Sequence, residues 1–392
     1  MKNPAIFSFF AGAGFLDLGF EKSGFKTYFV NELHKPFLSS YQFARNRMKI
    51  EEPLYGYHNG DIEDLMSSSE LKLFIKTAKS NTPFTGFIGG PPCPDFSVGG
   101  KNRGRFGDKG KLSLAYIELI ASCQPDFFLF ENVKGLWQTA THRVFYEELK
   151  HRLQSAGYIT TERLINSIEY GAPQDRNRII LLGFHKNLLR DLHLMDNTST
   201  ESILPFGLFP WQVSMKYNST IMANANWPDV SPFFEDSNTP QPEGITEELT
   251  VEHWFKRNDV TKHHNAERAF TPRQALPKFR TIEEGDDSKK SFKRLHRWRF
   301  SPTAAYGNNE VHIHPYKPRR ISASEALAIQ SLPEQFALPN DITLSDTFKA
   351  IGNGVPYLAA KGIAESIKRF LEVGEDATNS TGHCTEYKLA RY

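Results

Sequence analysis

The chain has 392 residues, room for two domains with separate cores, and its 39% hydrophobic and 23% charged residues are ordinary for a globular protein. No run of about 18 apolar residues occurs, so no membrane span is expected, and the glycine-broken start excludes a cleavable signal peptide. Net charge is only +2, and Cys93, Cys123 and Cys384 are too scattered for a metal site or a disulfide framework, so the expectation is a cytoplasmic chain without metal and with one working thiol.

The first 184 residues alternate short apolar runs with amphipathic stretches, which predicts an α/β fold with a doubly wound, mostly parallel sheet. Candidate strands are Ala5–Phe9, Thr27–Asn31, Gly86–Gly89, Phe127–Glu131 and Arg178–Phe184, with a further short strand expected before Asp61. Candidate helices are Phe15–Lys22, Leu112–Ser122 and Val144–Ala156. After Phe184 the chain becomes rich in aromatics, Asn, Pro and Ser, and Asp229–Glu248 reads as an acidic, proline-containing loop. Helix returns at Ser322–Gln330 and from Val355 to Glu372. The boundaries drawn are 1–184 for a first domain, 185–330 for a smaller, irregular one, 331–373 for a segment returning to the first, and 374–392 for a disordered tail.

Phe10-Ala11-Gly12-Ala13-Gly14 turns from the first strand into the first helix, where free N–H groups and missing side chains admit a ligand. Glu32, about 20 residues further on, stands where an acid can hold ribose hydroxyls. Asp61 and Ile62 follow the short third strand, where a carboxylate can accept from an adenine amino group. Each acid alone is more often a solvated loop residue or a helix cap. Together they indicate an adenosine-containing cofactor without separating NAD from S-adenosylmethionine.

Gly89-Gly90-Pro91-Pro92-Cys93 ends a strand, and two prolines hold the thiol in one direction at the sheet edge where α/β proteins bind ligands. Glu131 ends the apolar run Phe127–Phe130, where partial desolvation favours the protonated acid. Arg176 and Arg178, two apart before and within a strand, are expected to point to one side and reach one polar substrate; pairing with Glu131 is the structural alternative. A thiol, an acid and arginines suit methylation of an unreactive ring carbon. Thiolate addition to carbon 6 of cytosine makes carbon 5 an enamine nucleophile, and an acid at N3 eases that addition.

These motifs resemble the C5-cytosine DNA methyltransferase family, in its order and over nearly the whole chain. The resemblance implies a Rossmann-like, S-adenosylmethionine-dependent methyltransferase fold with a target-recognition domain acting on a flipped cytosine in double-stranded DNA. It casts Cys93 as nucleophile, Glu131 as acid, and Arg176 and Arg178 as the arginine motif. Phe10 would stack on adenine, with Ala11, Gly12, Gly14, Glu32, Asp61, Ile62 and Pro92 beside the cofactor. Asn353 and Val355, in Gly352-Asn353-Gly354-Val355-Pro356, would complete that pocket from the far end of the chain. Departures from the family's pattern are Phe15 for Gly, Pro94 for Gln, Gly354 for Ala, and Leu33 where an aromatic is common.

Candidate DNA contacts are Ser97, Arg103 and Arg105 in a glycine-rich loop suited to closing over the base, with Arg268, Arg297, Arg299 and Thr303 in the second domain. Trp254, Lys256, Arg257, Lys262, His263, His264, Arg273, Arg294 and Trp298 join them there. Residues 251–300 carry 13 Lys/Arg against 7 Asp/Glu, which suits a phosphate-facing surface or merely a solvated one. The resemblance further implies a compact, monomeric bacterial enzyme protecting DNA from a companion restriction endonuclease. A tRNA substrate, a nucleotide-dependent oxidoreductase and an inactive DNA-binding relative are the competing readings.

Overall fold

The computed structural model describes residues 3–92, 108–196, 200–272, 276–289, 291–304, 306 and 311–379. In the first part of the chain the elements are β1 (Ala5–Phe9), α1 (Phe15–Lys22), β2 (Lys26–Asn31), α2 (Lys35–Met48), β3 (Tyr57–His58), α3 (Ile62–Leu65), α4 (Ser69–Asn81), β4 (Thr85–Gly89), α5 (Asp108–Cys123), β5 (Phe127–Val133), α6 (Lys134–Gln138), α7 (Ala140–Ser155), β6 (Tyr158–Asn166) and β7 (Asn177–His185). After these come α8 (Lys186–Asp191), α9 (Ser219–Ala223), α10 (Val251–Arg257), α11 (Lys278–Thr281), β8 (Lys293–Arg294), β9 (His312–Ile313), α12 (Ala323–Ile329), α13 (Leu344–Asn353) and α14 (Tyr357–Asn379).

One seven-stranded sheet runs in the order β3-β2-β1-β4-β5-β7-β6. The first five strands pair in parallel, and β7 pairs antiparallel with both β5 and β6. Strand alternation divides the side chains between two cores. Phe7, Phe9, Phe87, Phe128 and Phe130 meet α4, α5 and α7 on one face, while Ile6, Ile88, Phe127 and Leu129 meet α1 and α14 on the other. Alpha-helix α14 lies so close to α1 that a Cβ on Gly19 would stand 2.6 Å from the backbone of Ala360. The chain's end therefore packs back onto its beginning.

Strand β6 was not visible in the sequence, because Tyr158–Asn166 mixes Thr, Glu and Arg into its apolar residues and lies at the sheet edge. Helix α14 keeps a helical backbone to Asn379, past the expected start of the tail; residues 380–392 lie outside the described part. Leu188, Leu189, Leu192, Leu204 and Phe209 pack into the sheet core, and the Thr160 amide donates to the Ser202 carbonyl at 3.0 Å, so the chain stays on the sheet well past Phe184. A third cluster joins Ala13, Phe15 and Leu18 to Trp254, Phe255, Leu327 and Ile351.

That third region includes a histidine with a measurable consequence. His312 is buried, neither ring nitrogen has a hydrogen-bond partner among the described residues, and its ring stands edge-on to Tyr306 at 5.4 Å. Burial, with Lys293 and Arg320 nearby, pushes its pKa down to about 3. A base depressed in the folded state contributes stability above its unfolded pKa, near 6.5, and that contribution is lost as pH falls toward 3. The stability advantage of the wild type over a His312→Phe variant is therefore expected to shrink by roughly 3 kcal/mol between pH 7 and pH 4.5. Urea titrations of the two proteins at both pH values check this; a pH-independent difference would show that the ring titrates normally.

Candidate active site

The ends of β1, β2 and β3 bring the cofactor candidates together. Phe10 and Gly12 sit at φ 54° and 58°, and Gly14, at φ 79°, caps α1. A Cβ on Gly12 would meet nothing within 4 Å, whereas one on Gly14 would strike Arg45 and Tyr41 below it. The turn is thus open above and filled beneath. Arg45 donates to the Gly14 carbonyl at 3.0 Å, pairs with Glu21 at 3.1 Å and lies over the Tyr41 ring. Asp17, buried in the same network and bonded to the Tyr41 hydroxyl, is pushed up to about 6, chiefly by desolvation.

Glu32 is nearly buried and accepts from the Gly12 and His34 amides, each at 2.8 Å, so two backbone N–H groups fix its carboxylate. Burial raises its pKa, and these two bonds oppose the rise. Asp61 caps α3 by accepting from the Glu63 amide at 3.0 Å, with Ile62 buried behind it. The side-chain amides of Asn31 and Asn59 staple the loops: Asn31 donates to Gly60 at 2.8 Å, and Asn59 donates to the carbonyls of Glu32 and Leu33 at 2.8 and 2.9 Å. Sequence reasoning missed both, because an Asn in a loop carries no mark of which carbonyl it reaches. Leu33 is 60% exposed beside Glu32. Ala11 donates its amide to the Asn31 carbonyl at 3.2 Å. Asn353 is exposed at the end of α13, and Val355 is buried in the sheet core.

Glu131 and Arg178 meet where the C-terminal end of β5 pairs with the start of β7, beside the turn that follows β4. Registry pairs Val133 with Arg178 and Glu131 with Ile180, which places Arg178 and Glu131 on one face of the sheet. The Arg178 Nε lies 2.8 Å from a Glu131 carboxylate oxygen, and Glu131 is only 7% exposed. The other carboxylate oxygen would be 2.7 Å from a Cβ on Gly90, so the glycine lets the strand end pass directly over the acid. Buried Asn132 donates to the Pro91 carbonyl at 3.4 Å and tethers the turn that carries Pro92. Cys93 is the next residue; it lies outside the described residues, as do Ser97, Arg103, Arg105 and Arg273.

Arg176 has partners that the expectation of a shared direction with Arg178 did not include. It precedes β7, where the backbone bridges Gln174 to Ser301 instead of continuing the sheet. Its buried guanidinium donates to the carbonyls of Ala304 at 2.9 Å and Gly352 at 2.8 Å. Arg176 therefore braces two returning segments while lying close enough to Arg178 and Glu131 for both charges to act on it, and the direct 2.8 Å contact with Glu131 is made by Arg178. Gln174 completes the brace by accepting from the Ala304 amide at 3.0 Å, and the Thr303 hydroxyl donates to the Asp175 carbonyl.

The basic candidates in the second region are also largely committed internally. Arg297 is buried and paired with Glu284 at 2.8 Å, Arg268 donates to Asn340 at 2.9 Å and also to Ile342 and Thr347, and Arg299 donates to the Pro228 carbonyl. Arg294 is fully buried on the carbonyls of Phe279, Ile282, His314 and Lys317. Trp254 and Trp298 are core residues, and the His263 ring meets the Phe336 carbonyl at 3.0 Å. The assignments of Arg294 and Arg297 to DNA are corrected accordingly, since both are buried and their guanidiniums serve the fold, whereas Arg268 is half-buried. Lys256, Arg257 and Lys262 remain exposed.

Two departures from the family's pattern turn out to touch. A Cβ on Gly354 would lie 2.1 Å from the Phe15 ring, so the large residue at 15 and the absent side chain at 354 fit one another. Among the described residues no helix is long and apolar enough to cross a membrane, and no group of His, Cys, Asp and Glu is arranged to hold a metal.

Comparison with known proteins agrees with this layout. A family model for C-5 cytosine-specific DNA methylases matches residues 5–369. The Type II methyltransferase M.NmeDI of Neisseria meningitidis serogroup C is 54% identical over 384 residues, covering 97% of this chain and 87% of the relative. M.FnuDI of Fusobacterium nucleatum is 29% identical over 375 residues, 93% of this chain and 94% of that one. A solved structure described as a prophage-encoded DNA modification methyltransferase of E. coli superposes with TM-score 0.62 at 22% identity, covering 94% of this chain and 99% of its own, and shows the shared fold. The oxidoreductase reading, which left the acid–arginine pair without a purpose, is set aside. The chain belongs to the C-5 cytosine-specific DNA methylase family and is an S-adenosylmethionine-dependent DNA methyltransferase.

Proposed function

We propose that Cys93 is the nucleophile that adds to carbon 6 of the target cytosine, with Glu131 serving ring N3 and Arg178 the O2 carbonyl. The observation that carries this reading is the Glu131–Arg178 pair at 2.8 Å, directly under the Gly90-Pro91 turn that leads to Cys93. The thiolate forms a bond to carbon 6 while N3 gains a proton from Glu131, leaving carbon 5 electron-rich. S-adenosylmethionine supplies the electrophilic methyl group that carbon 5 receives. Its adenosine is assigned to Phe10, Ala11, Gly12, Gly14, Glu32, Asp61 and Ile62, with Pro92, Asn353 and Val355 closing the site. The open space over Gly12 and the fixed Glu32 carboxylate fit such a group.

Within 185–330, the part beyond Met215 leaves the sheet core and is assigned to reading the DNA sequence, with the exposed Lys256, Arg257 and Lys262 as its phosphate contacts. The 54% identity to a Type II methyltransferase supports a protective role beside a restriction endonuclease of the same specificity. Mapping methylated cytosines in DNA from cells expressing the protein gives the recognition sequence. A duplex of that sequence carrying 5-fluorocytosine is then expected to trap the wild type covalently, and Cys93→Ser is expected to give neither trapping nor methylation. Methylation by the serine variant at the wild-type rate would end this assignment.

A further inference from the structure

We propose that Phe15 is a positioning residue for the methyl donor, its ring setting how closely the C-terminal segment Gly352–Val355 approaches the glycine turn. This rests on the reading that these two segments face the donor together. Phe15 is the first residue of α1, directly after Gly14, and is 2% exposed. Its ring stands edge-on to Phe336 at 5.2 Å. A Cβ at Gly354 would lie 2.1, 2.6 and 2.9 Å from three carbons of that ring. Gly354 has φ −64° and ψ 148°, a conformation open to any residue. Its lack of a side chain is therefore required by space, and Phe15 is what occupies the space.

Both partners are held from behind, so a misfit between them cannot be absorbed elsewhere. The glycine turn rests on Arg45 and Tyr41, which leave no room beneath Gly14. The C-terminal segment is fixed by Gln330, donating to the Ile351 carbonyl at 2.7 Å, by Arg176 on the Gly352 carbonyl at 2.8 Å, and by the buried Val355. Between these two anchored segments the ring acts as a spacer. A methyl group added at 354 must push the segment carrying Asn353 away from the turn, since the aromatic ring is rigid and the close atoms include its Cγ.

The test is calorimetric binding of S-adenosylhomocysteine to the full chain, with melting temperatures alongside. The wild type is expected to bind, which checks the underlying reading separately. Gly354→Ala is expected to weaken binding at least tenfold, and Phe15→Ala with Gly354→Ala to return it to within about threefold of the wild type, because the smaller residue 15 makes room for the methyl. A purely structural role would lower the melting temperature of Gly354→Ala and leave its Kd unchanged. Should Gly354→Ala fail to fold, Phe15→Leu in the otherwise native chain is expected to weaken binding three- to tenfold. An unchanged Kd in whichever of these single variants folds, or additive losses in the double variant, would overturn the proposal.

Discussion

A Glu131→Gln variant is expected to lose methyl transfer by about 100- to 10,000-fold, the range that a positioned general acid contributes, while binding S-adenosylhomocysteine as the wild type does. Glutamine keeps the shape that fits under Gly90 and can still hydrogen-bond to a ring nitrogen. It cannot release a proton to N3, and so cannot leave behind the carboxylate that would balance the Arg178 guanidinium 2.8 Å away. The loss should therefore fall on kcat in single-turnover assays, with little change in cofactor Kd. Covalent trapping by 5-fluorocytosine should slow in parallel, since the proton eases the addition itself. If trapping kept its wild-type rate while turnover fell, Glu131 would act after the addition, and the assignment to N3 would be wrong. A Gly90→Ala variant provides an independent approach to the same atom, because its Cβ would stand 2.7 Å from the Glu131 carboxylate.

What the sequence made legible, and what it hid, follows from which interactions leave a trace in residue identity. Apolar alternation bounded by glycines placed β1, α1 and the ends of β4 and β5 closely, because packing the two faces of a sheet forces that pattern. Helices α2 and α4 went unread: Lys35–Met48 and Ser69–Asn81 are polar over most of their surface and bury only narrow stripes. The thiol, acid and arginine motifs named their chemistry through residue type, but not their partners. Arg176 and Arg178 look equivalent on paper, yet one braces two backbone carbonyls and the other faces Glu131.

The basic excess in residues 251–300 was only partly legible for the same reason: it includes the exposed Lys256, Arg257 and Lys262 as well as arginines turned inward. A charge count sees acidic side chains and not carbonyl oxygens, and the fold answers Arg294 and Arg268 mainly with carbonyls. The Phe15–Gly354 fit shows the converse. Two departures that look independent in the sequence are one contact in the structure.

Arg297→Ala is expected to destabilise the protein by about 3–5 kcal/mol, through loss of a buried ion pair and not through lost DNA contact. Arg297 and Glu284 have side chains only 3% and 6% exposed, joined at 2.8 Å, and the guanidinium also donates to Ser237 and lies over the Tyr316 ring. The pair holds the Glu284 pKa below the usual carboxylate range against the opposing effect of burial, so truncating the arginine leaves a buried carboxylate uncompensated. Replacing both partners with apolar residues of similar size, Arg297→Met with Glu284→Leu, should recover much of the stability, because no charge is then left stranded. Urea denaturation of the three proteins, with DNA affinity measured where each is folded, separates the two roles. A structural pair predicts wild-type affinity and target choice in the double variant, and a salt dependence of binding unchanged from the wild type. If the double variant were fully stable yet bound all DNA more weakly, with a shallower salt dependence, Arg297 would be a phosphate contact after all.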